Sequence, residues 1–514
     1  MARLVARALR LGRGALIQVG AACGYQGHYR LSYLAPALLW SKPTIIVAPI
    51  EVQQRLKTVE IPRLQEWFQT HKAIRTGERW PSHDFQGLLL TSPEAWLAAQ
   101  LARREEFPPG IPTIIDGVDD LEDWARTQLT ASIQPSDWEE LMLARPSQIE
   151  TIREARVRLT RLVFQHPVNP YECYLIESKE QNILRRLYAT LQAPEGSNSL
   201  SDLPPAWRDF EQRLRAETQR FAPSSSGDAL TQAQIFWATV ARRQGLFTLS
   251  SAPAEVASAL SPIWSKQPVV LIGSTLDREA EAPIYRGNVG LSDLTKSTQL
   301  PEEASGRTLT CLKFSADRQN DLIQLYLPDQ LPLPNTPEFQ AACFQKVHSL
   351  LCLSATAPGL TVLLVGDVPL KAQIGATLAA EFGSRVQVEK TCLEENGILV
   401  SGWEFWRQHQ AVLPAPLLLV IATLPLPSLE NPLVSGRVNY YKQSRQDWFR
   451  LYLLPEALSE LARAVAPMRE HQGVVALLDS RVLHRSYGSQ VLAALSPLAR
   501  LSYLDNSVFA QPNG

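Results

Sequence analysis

Short, almost uninterrupted apolar runs recur along this chain in two separate sets, and their placement limits its architecture more than any single motif. The first set is ALIQVG (15–20), PTIIVAP (43–49), GLLLTS (87–92) and TIIDGV (113–118), joined much later by PVVLIGST (268–275). The second is LTVLLVGD (360–367), GILVSG (397–402), PLLLVIATL (416–424) and GVVALLDS (473–480). A strand with one face in water alternates apolar and polar residues, whereas a strand covered on both faces need not. Helical stretches separate the runs. The pattern predicts an α/β protein with two parallel sheets, each covered by helices.

Between Leu121 and Arg243 no comparable run occurs. Charged segments such as QIETIREARVRLTRLVF and WRDFEQRLRAETQRF take over, divided by Pro/Ser/Gly-rich joints at 193–205 and 222–229. This predicts a helical insertion. The first α/β domain is then split by the insertion into two segments, 1–120 and 246–300. The insertion itself is expected over 121–245, and the second α/β domain over 301–514.

A net charge of -1 supplies no global basic field, so any surface for nucleic acid must be local. The six cysteines are scattered without a CxxC pair, which argues against a zinc ribbon or a redox motif and for reduced thiols in a cytoplasmic protein. No apolar run reaches the roughly 18–20 residues of a membrane span. Arg3, Arg7, Arg10 and Arg13 are expected on the exposed face of a first helix; a transit peptide is the alternative reading.

The stretch GAACGYQGHYRLSYLAPALLW (20–40) follows the first predicted strand and precedes a predicted helix. A phosphate-binding loop at such a place needs converging backbone N–H groups, a lysine for the phosphates and a hydroxyl for Mg²⁺. Gly24 and Gly27 hold loop positions, but the stretch has no lysine. Tyr29 stands where the lysine would be, and Arg30 where the hydroxyl would be. Arg30 offers a planar fork to a phosphate rather than a compact ammonium.

Other candidates lie at strand ends. Asp116 could hold Mg²⁺, with Asp119 and Asp120 as nearby acids; these acids equally suit a helix-capping loop. Ser274 and Thr275 end the late strand of the first set, as nucleic-acid contacts or as turn caps. Arg481 and Arg485, spaced one helical turn apart, suit an anion site. Arg463 and Arg469 could reach across a cleft. Trp406 and Arg407 place an aromatic ring beside a cation, as single-strand binders do, or else pack a core beside a solvated charge. Neither HExxH nor GxSxG occurs, and no metal centre is expected apart from Mg²⁺ with a nucleotide.

The order of these pieces resembles the DinG/XPD-type superfamily 2 DNA helicases over nearly the whole chain. GWEFWRQHQAVLPAPLLLVIATLPLPSLENPL (402–433) looks like that family's FWEGVD segment and the strand and loop after it. Tyr452 to Ala457 looks like its LPxA helix start, and Gly473 to Gly488 like its closing GVVxxLDxR…YG signature. IFWATVARRQGLFTLSSAPAEVASAL (235–260) followed by LIGSTLD (271–277) resembles its approach to the SATL motif.

The resemblance implies two RecA-like P-loop-type domains with an arch-like insertion in the first, and partners among single-stranded DNA and replication or repair proteins, away from membranes. The departures fall on the motor elements. The family's GKT corresponds to His28-Tyr29-Arg30, its DEAH to Asp116-Gly117-Val118-Asp119, and its FWEG to Phe405-Trp406-Arg407-Gln408. Its arginine helix is loosely echoed by Leu461 to Arg469, which makes Arg463 and Arg469 arginine-finger remnants and Asp116 a vestigial Mg²⁺ acid. No cysteine follows Cys23 before Asp116, so no iron–sulfur cluster is implied.

Phosphoryl transfer rests on positioning and charge neutralisation, and one arginine finger alone is worth on the order of 10³–10⁵ in rate. Loss of the lysine, the hydroxyl and the water-orienting acid should leave little turnover. Strand binding needs none of them. The expectation is a helicase homologue that binds single-stranded DNA with an impaired ATPase, taking ATP and Mg²⁺ only if the rebuilt loop still binds them. The alternatives are an active ATP-dependent helicase and a protein-interaction scaffold.

Overall fold

A computed structural model describes residues 1–192, 203–220, 233–292, 309–314, 320–334, 336–355, 357–505 and 508–509. The first apolar set forms β1 (Gly14–Gln18), β2 (Thr44–Val47), β3 (Ile74–Thr76), β4 (Leu88–Thr91) and β5 (Thr113–Asp116). The insertion carries β6 (Ala131–Ile133), β7 (Cys173–Leu175), β8 (Gln234–Ala241) and β9 (Leu246–Pro253). Next come β10 (Val269–Gly273), β11 (Leu309–Lys313), β12 (Ile323–Tyr326) and β13 (Thr361–Leu364), then β14 (Val386–Val388) and β15 (Ile398–Ser401). The chain closes with β16 (Leu418–Ile421), β17 (Val474–Leu477) and β18 (Leu498–Leu501).

Two seven-stranded sheets result, in the orders β11-β1-β10-β5-β2-β4-β3 and β14-β15-β13-β16-β17-β12-β18. Their neighbours pair in parallel, as in Ala15 with Val270 and Val420 with Ala476. Successive side chains point to opposite faces. On β1, Leu16 therefore joins a core with Trp96 and Trp264, while Ala15 and Ile17 join a separate core with Tyr33 and Leu34. The second sheet divides likewise: Leu419 and Leu477 pack with Trp406, and Leu418 and Ala476 with Phe339. Two covered faces explain why these runs do not alternate.

The helix Ala2–Leu11 buries Val5, Ala8 and Leu9, exposes Arg3, Arg7 and Arg10, and ends on Gly12 at φ 61, where a side chain would be strained. Among the described residues, no helix is long and apolar enough to cross a membrane.

The structure departs from the sequence reading in two places. The insertion is not purely helical. Beside helices such as Ile149–Gln165 and Ser178–Leu191, it holds an antiparallel sheet in the order β6-β9-β8-β7. One face of that sheet packs Phe236, Ala238 and Leu249 against Trp138, Trp207 and Phe210. Because β6 and β7 are only three residues long and polar residues such as Ser250 and Ser251 interrupt β9, no continuous apolar run marks the sheet. Most of the Pro/Ser/Gly-rich joints lie outside the described residues.

The second departure concerns boundaries. Leu309–Lys313, expected in the second α/β domain, is an edge strand of the first sheet, paired with β1 from Gly14–Leu309 to Gln18–Lys313. Leu246–Pro253, expected in the first α/β domain, belongs to the insertion's hairpin. The edge strand β11 has no fully buried residue and β9 mixes polar with apolar residues, so their side chains record no sheet membership.

Candidate nucleotide loop and interlobe cleft

After β1 the chain turns at Gly20 (φ 84) into the short helix Ala21–Gln26, which Gly27 ends at φ 73. Gly24 lies so close to the end of β10 that a Cβ there would sit 2.6 Å from Cβ of Ser274. The next helix, Arg30–Leu39, begins at the last residue of His28-Tyr29-Arg30. Tyr29 and Tyr33 lie four residues apart and share a helical face. That face points at the end of β5.

Asp116 ends β5 and is 1% exposed. A buried, unpaired carboxylate would cost several kcal/mol. Here three donors satisfy it: the Tyr29 hydroxyl in a short hydrogen bond, the Tyr33 hydroxyl at 2.9 Å and Arg30 Nε at 3.1 Å. Burial, reinforced by the Asp116 charge, pushes both phenols well above their usual range, so they remain neutral donors. Burial opposes the charge on Arg30, but Asp116 outweighs it and raises the guanidinium further. Gly27 makes room: a Cβ there would lie 2.4 Å from Nη1 of Arg30.

Gly117 (φ 82) turns the chain after Asp116 so that the next two acids point elsewhere. Asp119 accepts from the backbone N–H of Ser274 (2.7 Å), the Ser274 hydroxyl (2.7 Å) and the backbone N–H of Thr275 (3.0 Å). Asp120 faces the second lobe and accepts from Arg463 Nη1 at 2.7 Å. Arg463 is held charged despite its burial, with Asp120 and Asp119 as the opposing carboxylates.

Further contacts cross the cleft. Glu122 pairs with Arg126 at 2.7 Å and, in a short contact, with Arg437 of the second lobe, whose guanidinium lies 3.8 Å over the Tyr452 ring. Ser459 Oγ donates to the Thr275 carbonyl at 3.2 Å, and the Tyr25 hydroxyl to the Gln410 carbonyl at 3.2 Å. A cavity of about 230 Å³ remains at the loop, touched by Gly24, Arg30, Asp116, Asp119 and Arg463.

Gly24, Gly27, Tyr29, Arg30, Asp116, Ser274 and Arg463 therefore converge, with Thr275 beside them. Asp119 and Asp120 join them, whereas Arg469, Trp406, Arg407, Arg481 and Arg485 do not. Arg469 is buried with its guanidinium on the backbone carbonyls of Asp321, Leu495, Ser496 and Pro497, so it braces the second lobe and does not line the cavity at the loop. Trp406 is fully buried, its indole N–H on the Ala464 carbonyl, and offers no stacking face; Arg407 is exposed. Arg481 and Arg485 do not share a helical face, because the helix Arg481–His484 stops before Arg485 turns extended. Arg481 is spent on buried Asp479, with Nε at 2.9 Å, while Arg485 is exposed.

Sequence reasoning missed the role of Tyr33, which its spacing from Tyr29 signalled. It also missed Glu122 and Arg437, which lie 315 positions apart and carry no shared signal. Among the described residues, no group of three or more His, Cys, Asp or Glu side chains is placed to hold a metal ion.

Comparison with known proteins agrees with this architecture. Residues 416–498 match the family model of a helicase C-terminal domain. The chain is similar to the ATP-dependent DNA helicase YoaA of Escherichia coli, at 24% identity over 264 residues, covering 49% of this chain and 40% of that protein. YoaA of Haemophilus influenzae is 26% identical over 141 residues, covering 27% of this chain and 22% of that protein. The matched stretches thus span less than half of either relative. Among solved structures, XPD_APO superposes with a TM-score of 0.58 at 12% identity, covering 97% of this chain and 99% of that one. Xpd4 of S. tokodaii gives 0.56 at 12% identity, covering 97% and 98%. At such identity the likeness is one of fold, two RecA-like domains with an insertion.

Proposed function

Starting from the chain's place as a DinG/XPD-type superfamily 2 helicase homologue, we propose that it binds single-stranded nucleic acid and has an impaired ATPase. One observation carries this reading. The groups that would receive phosphate and Mg²⁺ in such a fold are engaged with one another. Asp116 is filled by Tyr29, Tyr33 and Arg30, Asp119 by the Ser274–Thr275 turn, and Arg463 by Asp120. Mg²⁺ demands near-ideal oxygen geometry and gives up its water reluctantly. A carboxylate already saturated by two phenols and a guanidinium is a poor ligand for it. The position of the phosphate-binding lysine holds a neutral phenol. The residues present therefore do not fit a catalytic nucleotide–magnesium complex.

Pairing across the cleft also does the work that a bound nucleotide does in a motor: it holds two lobes together. A clamp closed by its own ion pairs can hold a strand without turnover. Strand affinity then rests on phosphate neutralisation and on exposed cations such as Arg407 and Arg485.

The test is ATP turnover with and without a single-stranded oligonucleotide, beside strand binding across salt concentrations. Background turnover with salt-dependent binding supports the proposal. DNA-stimulated hydrolysis abolished by Asp116→Ala would instead establish an active helicase with a rebuilt loop. Absence of binding at low salt would leave a protein-interaction scaffold.

A further inference from the structure

The helix Pro337–Ser354 covers one face of the second sheet, where Val347, Leu350 and Leu351 pack with Leu418 and Ala476. Leu461, on the helix that carries Arg463, packs on the opposite face. His348 and Cys352 lie four residues apart on the covering helix and share one side of it. Sγ of Cys352 is 3.9 Å from His348 Nδ1 and 4.0 Å from Nε2, so the thiol sits against the ring. Nε2 meets Oε1 of Glu381, from the neighbouring helix Val368–Phe382, at 2.5 Å. The Phe382 ring lies beside the imidazole, with centroids 6.0 Å apart. The three groups form a chain from thiol to ring to carboxylate; they do not converge as metal ligands do.

An ionised carboxylate only accepts, so Nε2 carries the proton of that contact. In the neutral ring Nδ1 is then an acceptor beside the thiol. A cysteine next to a base that a third group orients is the arrangement that activates a thiol nucleophile. The chain is also accessible: Cys352 is exposed, and the side chains of His348 and Glu381 keep 37% and 48% of their surface. The other cysteines differ. Burial pushes the thiols of Cys23, Cys173, Cys311 and Cys343 up, that of Cys343 to about 12. Cys392 is exposed but has no hydrogen bond to a histidine among the described residues.

We propose that Cys352 is a thiol-modification site that takes small disulfides such as oxidised glutathione. His348 Nδ1 receives the Sγ proton as Sγ attacks one sulfur of the disulfide. A new S–S bond joins Cys352 to that half, the old S–S bond breaks, and the departing thiolate takes the proton from His348. Cys352 is oxidised and the other half of the disulfide is reduced to a thiol, so no further oxidant is needed. Glu381 is a positioning residue that fixes the ring and its tautomer. Because the site lies across the second sheet from the helix of Arg463, the inference is independent of ATP turnover and of strand binding.

The test mixes the full chain, first reduced, with oxidised glutathione and follows the adducts at Cys352 and Cys392 by peptide mass spectrometry. Cys352 should react at least about tenfold faster than Cys392. In urea, where the ring is no longer held, the two should react alike. His348→Gln should bring the Cys352 rate down to about that of Cys392, with the unfolding midpoint and the Cys392 rate unchanged. Glu381→Leu should slow Cys352 severalfold, whereas Glu381→Gln, which keeps an oxygen for the Nε2 proton, should restore most of the rate. Equal rates at the two cysteines of the folded protein, or a Cys352 rate that His348→Gln leaves unchanged, overturns the proposal.

Discussion

Arg463, on a helix of the second lobe, donates a 2.7 Å hydrogen bond to Asp120 of the first. The helicase resemblance would send this arginine toward a terminal phosphate; here a carboxylate of the same chain receives it. Asp120 keeps 38% of its side-chain surface and Arg463 only 18%, so solvent weakens the pair without abolishing it. In a double-mutant cycle of Arg463→Ala and Asp120→Ala, urea unfolding should give a coupling on the order of 1 kcal/mol. Strict additivity would show that the contact does not hold the lobes.

Asp116→Ala should act on stability rather than turnover. It leaves two buried phenols and a guanidinium without their acceptor, at a cost of about 3 kcal/mol. The expected result is a lower unfolding midpoint with unchanged background ATP hydrolysis. Loss of hydrolysis without loss of stability would reverse that assignment.

Acid should loosen the cleft. Burial tends to raise the Glu122 carboxyl, but Arg437 and Arg126 outweigh burial and hold it below the usual carboxylate value. A depressed value in the folded state means stability fully present above the unfolded carboxyl value and lost as pH falls through the folded one. Glu122→Gln should flatten that acid limb of the stability profile. An identical acid limb in the variant would show that the pair contributes nothing.

Strand binding should divide the aromatic and cationic candidates. Arg407→Ala and Arg485→Ala, at exposed positions, should each lower the salt slope of binding by about 1. Trp406→Phe should leave the slope unchanged and reduce stability, since its indole is buried and hydrogen-bonded. A binding defect in Trp406→Phe at unchanged stability would restore the tryptophan as a stacking platform.

Much of the candidate site was legible because local spacing encodes it. Gly24 and Gly27 follow β1 in the manner of a loop, and Asp116 ends an unbroken apolar run. What those residues touch was not legible. Arg481 and Arg485 have helical spacing, yet one turn of helix ends between them. Arg469 reads as a spare cation until four carbonyls are found around it.

By itself the sequence determined the two covered parallel sheets, because doubly buried strands are apolar along most of their length, with polar residues such as Thr44, Thr113 and Ser401 at their ends, and that property is written in consecutive residues. It also determined the absence of a lysine from the loop. Only the tertiary structure decided that Asp116 is saturated, that Asp120 holds Arg463, that β11 belongs to the first sheet and that the insertion carries a sheet of its own. Those outcomes depend on pairs from about eighty to more than three hundred residues apart or on short and edge strands, where side-chain type does not name the partner.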